Sequence, residues 1–104
     1  MNKQQAIQSQ INEIMDCFDF RKCRDVLNAI GFGCAPFEEC DLRQQGRERM
    51  LGAVKHKGFS DTGPFRAEYK EGDDEDGKWL RIELFCVIEH WPNDGVTYEE
   101  VEND

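Results

Sequence analysis

Several things are scarce in these 104 residues, and each shortage excludes a class of protein. No stretch approaches the roughly 18 consecutive apolar residues of a membrane-spanning helix, so none is expected. The opening residues, MNKQQAIQSQINE, hold no apolar core of the kind a secretion signal carries, and the expectation is a cytoplasmic protein. Cysteines number five, an odd count, and none are paired as CxxC. In a reducing compartment they read as free thiols rather than disulfides. Apolar residues make up only 38%, which points to a thin core or to help from a second subunit. Positive charge is short as well: 13 Lys and Arg stand against 22 Asp and Glu, a net charge of -9.

What the chain does have is one long apolar run, WLRIELFCVIEHW at residues 79–91. Leu80, Ile82, Leu84, Cys86 and Ile88 alternate with Trp79, Arg81, Glu83, Phe85, Val87 and Glu89. Period two with β-branched and aromatic residues predicts a single strand over the whole run. One face is dry; the other starts charged and turns apolar at Phe85 and Val87. Upstream, FRAEYK at 65–70 alternates in the same way, and EGDDEDGK at 71–78 predicts an acidic loop joining the two into an antiparallel hairpin. PNDG at 92–95 predicts a turn, after which Val96, Tyr98 and Val101 allow a short third strand.

Three helices precede the hairpin. Ile7, Ile11, Ile14, Met15 and Phe18 recur at spacings of three and four and predict a helix over 3–17, with Gln, Asn and Glu on its other face. Asp19 is the natural N-cap of a second helix over 20–30, with Phe20, Cys23, Val26, Leu27 and Ile30 as its stripe and Gly31 as its left-handed stop. Phe18 and Phe20 flank the junction and are expected in the core at that corner. Pro36 is placed to open the third helix, which runs to Lys57 on Leu42, Gly46, Met50, Ala53 and Val54. Glycine inside a helix is unfavourable by about 1 kcal/mol against alanine, so Gly46 on the stripe predicts close approach of another element. GFSDTGP at 58–64 reads as a loop. The fold class is α+β, three helices followed by an antiparallel β-hairpin. We expect one domain over 1–104, with its core at about 6–91 and a mobile acidic tail over 99–104.

Residues 15–33 (MDCFDFRKCRDVLNAIGFG), the helix at 38–54, TGPF at 62–65 and the strand ending in VIEHW are similar in layout to small bacteriophage and prophage proteins without assigned activity. Phe18, Phe20, Leu27 and Phe32 match the first part of that pattern, and Thr62, Gly63, Phe65, Glu89 and Trp91 the last. The chain departs from it at Gly33–Cys34, where a second aromatic region stands in the pattern, and at Pro64, where a glycine does. The resemblance implies a phage-associated setting and carries no catalytic residues.

Nothing in the sequence composes an active site. Cys17, Cys23, Cys34 and Cys40 are too widely spaced for the usual paired zinc ligands, so no metal and no cofactor are expected. His56 suits the negative end of the third helix, and His90 a strand rim. Ser9, Ser60 and Thr62 are the hydroxyls a histidine could activate, but no spacing ties them to one. Asp74, Asp76 and Glu83 match three positions of a calcium loop around Gly77, but Gly72 occupies the first ligand position and Glu83 lies in a strand. Arg43, Arg47, Arg49, Lys55 and Lys57 form a basic helix surface, with Glu39 one turn before Arg43.

Charge is unevenly divided. Residues 1–60 carry nine Lys and Arg and eight Asp and Glu, a balance of +1; residues 61–104 carry four and fourteen, a balance of -10. An acidic half repels nucleic acid and favours a basic protein partner. The expectation is a non-enzymatic binding or regulatory protein. Its contact residues are Asp73, Asp74, Glu75 and Asp76 in the acidic loop, and Trp79, Phe85, Val87 and Trp91 on the outer strand face, where a homodimer could also form. Other readings are a nucleic-acid-mimicking inhibitor of a basic host protein, a weak nucleic-acid binder through the 38–57 helix, and a small enzyme.

Overall fold

The structure is a computed structural model and describes residues 1–33, 35–87, 89–92 and 94–99. Helices α1 (Lys3–Cys17), α2 (Phe20–Ala29) and α3 (Glu39–His56) come first. Strands β1 (Phe59–Thr62), β2 (Phe65–Asp74), β3 (Gly77–Cys86), β4 (Glu89–Trp91) and β5 (Val96–Tyr98) follow. These strands pair antiparallel, in the order β1-β2-β3-β4, with β5 also on β3. The α+β class and the order of helices before sheet are as expected. The sheet is wider than a hairpin, because four residues of the expected 58–64 loop pair with β2 as β1.

Each helix end has a local cause. Asn2 and Gln5 form a reciprocal capping box at the start of α1, with bonds of 2.8 and 2.9 Å. Asp19 caps α2 by accepting from the Lys22 N–H, and Gly31 at φ +71 lets the chain leave it. Pro36 does not open α3, which starts three residues later. The Asn28 side chain holds Phe37 by both backbone groups, accepting from its N–H at 2.7 Å and donating to its C=O at 3.1 Å, and so delays the helix. Ile30 also departs from its expected stripe and is exposed, one residue beyond α2.

The helices pack on one face of the sheet, α3 over β1 and β2, and α1 over β3 and β5. Leu80, Ile82, Leu84 and Cys86 of β3 and Phe65, Ala67 and Tyr69 of β2 are buried beneath them. Phe18 and Phe20 occupy the expected corner, their ring centres 4.9 Å apart, and both meet Phe65 at about 6 Å. Gly46 is the close approach its position predicts. A Cβ there would lie 2.9 Å from the Phe20 ring and 3.4 Å from Leu84 Cδ2.

The expected single strand over 79–91 is two strands. β3 ends at Cys86, and the chain folds back so that Glu89, His90 and Trp91 register with Cys86, Phe85 and Leu84. Val87 takes φ +38 in this turn, a left-handed conformation that strains a β-branched residue. Val87→Gly is expected to raise the unfolding free energy by about 1 kcal/mol in urea denaturation, because glycine adopts this φ without strain. Ile88, placed on the dry face in the sequence reading, lies outside the described residues, as do Cys34 and Val101.

β4 and β5 share one edge of β3 and leave a gap at Ile82. A helix side chain fills it: Gln10 accepts from the Ile82 N–H at 2.7 Å and donates to the Leu80 C=O at 3.2 Å. Gln10 is therefore buried, on a helix face expected to be polar and wet. Glu99 of the expected tail is tied down, its N–H donating to the Met1 carbonyl at 2.8 Å. The rest of that tail, 100–104, is outside the described residues.

Candidate functional site

The expected acidic loop is the far end of a long hairpin. β2 and β3 pair without interruption from Phe65↔Cys86 to Asp74↔Gly77, leaving only Glu75 and Asp76 as the turn. Gly77 at φ +113 supplies the left-handed residue that closes it, and Asp74 Oδ1 accepts from the Asp76 N–H at 2.9 Å. Burial stops at Tyr69 on β2 and resumes at Leu80 on β3. The hairpin thus runs past the helix layer, and Asp73, Asp74, Glu75 and Asp76 are all exposed at its tip. The molecule measures 48 × 22 × 18 Å, and a ten-residue strand spans about 33 Å of such a length.

Glu71 anchors the base of this projection. Its carboxylate accepts from the Tyr69 hydroxyl at 2.6 Å and pairs with Lys3 at 3.1 Å and Lys57 at 3.8 Å. The Tyr69 hydrogen bond, with help from the two lysines, holds the Glu71 carboxyl below its ordinary range. Burial, reinforced by Glu71, pushes the Tyr69 hydroxyl up. The acidic residues therefore divide by role: Glu71 ties the hairpin to α1 and α3, whereas the tip faces water. Asp73 lies 3.5 Å from the Lys78 ammonium.

The face of the sheet away from the helices carries Trp79 and Phe85 as expected, but not Trp91. The fold-back after Cys86 places Trp91 opposite Leu84, on the helix side, where it packs against the core. Val87 lies in the turn and is exposed rather than in line with the other two. His90, expected at a strand rim, lies opposite Phe85 on this face and stacks on it at 4.2 Å with an angle of 3°. Arg66 lies between two rings, 4.4 Å from the Phe59 centre and 5.8 Å from that of Phe85. At the other end of the face the Trp79 indole lies across Gly72, where a Cβ would sit 2.6 Å from the ring. Between these aromatic ends are two like-charged rows: Glu68 is paired in register with Glu83, and Lys70 with Arg81.

The sequence reading missed Phe59, Arg66 and His90 as members of this face. The alternation of FRAEYK already put Arg66, Glu68 and Lys70 on one side; only the register was missing. Phe59 carried no signal, since FSDT lacks a strand pattern.

Reactive groups are scattered. Cys23 and Cys86 are both buried, and the adjacent Cys86 sulfur, together with burial, holds the Cys23 thiol well above its ordinary value, far from a reactive thiolate. Among the described residues the one group with metal-ligand proximity is Glu38, Cys40 and Asp41, whose ligand atoms lie within 4.8 Å. All three are exposed at the start of α3 and supply three ligands where a closed structural zinc site uses four. Glu83 faces outward from the middle of β3, in register with Glu68, so it does not close a calcium loop with Asp74 and Asp76. Ser60, opposite Ala67, is on the helix side of the sheet and His90 on the other. Arg43 is engaged within the fold, pairing with Glu39 at 3.1 Å, donating to the Met15 carbonyl at 3.1 Å and lying over the Phe20 ring. Among the described residues no helix is long and apolar enough to cross a membrane.

Compared with family models, with curated proteins and with solved structures, the chain matches none.

Proposed function

We propose that this is a small non-enzymatic binding protein that places the tip of the β2–β3 hairpin on a basic surface of a protein partner. The observation that carries the reading is the placement of Asp73, Asp74, Glu75 and Asp76. They are consecutive, exposed and held out by paired backbone beyond the last buried residues of the hairpin. A ladder-supported tip presents its carboxylates with less conformational entropy to lose than a free loop would. Four clustered charges speed encounter with a basic partner and make the association sensitive to salt. The -10 balance of residues 61–104 acts in the same sense at longer range. The resemblance to phage and prophage proteins makes a host protein in the cytoplasm the partner to look for. DNA is not the ligand in this reading: Arg43, central to the basic face of α3, is already occupied by Glu39 and Met15.

The test is affinity capture from a host lysate with the wild type and with a variant carrying Asp73→Asn, Asp74→Asn, Glu75→Gln and Asp76→Asn. The quadruple variant is expected to fold normally and to lose the partner, because exposed tip charges contribute little to stability. Duplex DNA at about 0.15 M salt is expected to give no mobility shift. Tight DNA binding that disappears when Arg43 and Arg47 are replaced would transfer the function to α3.

A further inference from the structure

The open face of the sheet sets like charges opposite one another, and one of its cations lacks an ion partner among the described residues. Like charges directly opposite on neighbouring strands repel, yet Glu68 faces Glu83 and, one step along, Lys70 faces Arg81. Arg66 lies 3.0 Å from Glu68, and Arg81 and His90 lie 3.6 and 3.3 Å from Glu83, which offsets part of the acidic repulsion. Lys70 has no ion partner among the described residues, and no helix covers this face.

We propose that this face binds a second copy of the chain, around a two-fold axis that runs across the strands between the two charged rows. Such an axis exchanges the rows. Glu68 of one copy meets Lys70 of the other, Glu83 meets Arg81, and each contact occurs twice. The next positions outward then also match. Arg66 and Phe85 of one copy meet the flat Trp79 indole that lies across Gly72 in the other, a cation–π and an aromatic contact. A self-complementary pattern is what an isologous interface requires. Sheets packed face to face lie about 10 Å apart with strands within about 30° of one another, which suits this arrangement. The shared patch is roughly 15 by 23 Å, about 350 Å² per copy, which is below the roughly 800 Å² per partner of a stable complex, so the association is weak and concentration-dependent. The two acidic tips point to opposite ends of the dimer, making it bivalent whatever their partner is.

Sedimentation equilibrium from about 1 to 300 μM tests the proposal. The wild-type mass should rise from 12.1 kDa toward twice that value. One double variant, Glu68→Lys with Glu83→Lys, makes both rows positive; the other, Lys70→Glu with Arg81→Glu, makes both negative. Each alone should self-associate at least about tenfold more weakly, and an equimolar mixture of the two should restore the dimer. If either double variant fails to fold, Lys70→Glu at an exposed position serves in its place and should weaken association on its own. A wild type that stays monomeric throughout overturns the proposal, whether or not it binds a single-stranded oligonucleotide on the aromatic face. Charge-reversed variants that associate as the wild type does, or folded variants whose mixture stays monomeric, overturn it equally.

Discussion

Leu84→Ala is expected to lower the unfolding free energy by about 2–5 kcal/mol, the range for truncating a fully buried leucine. The environment of Leu84 argues for the upper part of that range. Its side chain is 0% exposed and fills the space left by two small neighbours, Ala67 across the strand pair and Gly46 on α3 above it. Small residues have no side chain to move into a cavity, so the void would stay largely open. Urea denaturation reads the effect as a lower midpoint at unchanged slope. A loss below about 1 kcal/mol would mean that the space beneath α3 collapses and that the α3–sheet contact is softer than the geometry indicates.

Gln10→Leu is expected to be nearly as damaging, at about 2–3 kcal/mol, although it makes the core more apolar. The substitution keeps most of the volume and removes both hydrogen bonds to β3. Ile82 then has a buried N–H with no partner, in the gap between β4 and β5 where water has little access. Gln10→Glu supplies a useful contrast. The acceptor for Ile82 remains, but a buried carboxylate beside the Leu80 carbonyl is unfavourable unless protonated, so this variant should be more stable at acidic than at neutral pH. The sign follows from a folded-state pKa raised by burial: stability is present when the group is protonated and is lost as the pH rises. If Gln10→Leu is as stable as the wild type, the sheet edge is closed by something other than this side chain.

The sequence made the helices and the dry face readable because each rests on a short-range pattern. Ile7, Ile11 and Ile14 announce α1, and Leu80, Ile82 and Leu84 announce β3, without reference to anything distant. Gly46 was readable for a different reason: its unfavourable place in a helix needs a compensating contact, and Phe20 and Leu84 are that contact. The failures share one cause, which is that the deciding partner is remote. Nothing local in Gln10 says that its amide completes a strand edge 70 residues away. The fold-back after Cys86 was hidden because Val87 and Ile88 are β-branched residues that extend a strand pattern rather than break it. That one error moved Trp91 to the wrong face. Strand structure in the acidic 71–78 segment was also illegible. Asp and Glu disfavour strands, and it is the ladder to β3, the Glu71 contacts and the Trp79 ring over Gly72 that carry the pairing to Asp74.

The two surfaces proposed for binding follow from the same asymmetry. All three helices take one side of the sheet, so its other side and the far end of its longest hairpin are left with side chains the fold does not consume. On the inner side nearly every residue has a packing role, and even the charged Glu89 pairs with Lys22 at 2.7 Å. The Glu89 carboxylate, by hydrogen bond and charge, raises the Lys22 ammonium above its ordinary value.

The reading of the hairpin tip is tested most directly by titrating the purified captured partner with the wild type and with the Asp73, Asp74, Glu75 and Asp76 neutralised variant, from about 0.05 to 0.3 M salt. The account predicts that the wild type binds more tightly at every salt concentration, that its affinity falls steeply as salt rises, and that the variant is weaker with a flatter salt dependence. Equal affinity and an equal salt slope for the two proteins would contradict it and leave the tip as solvated surface.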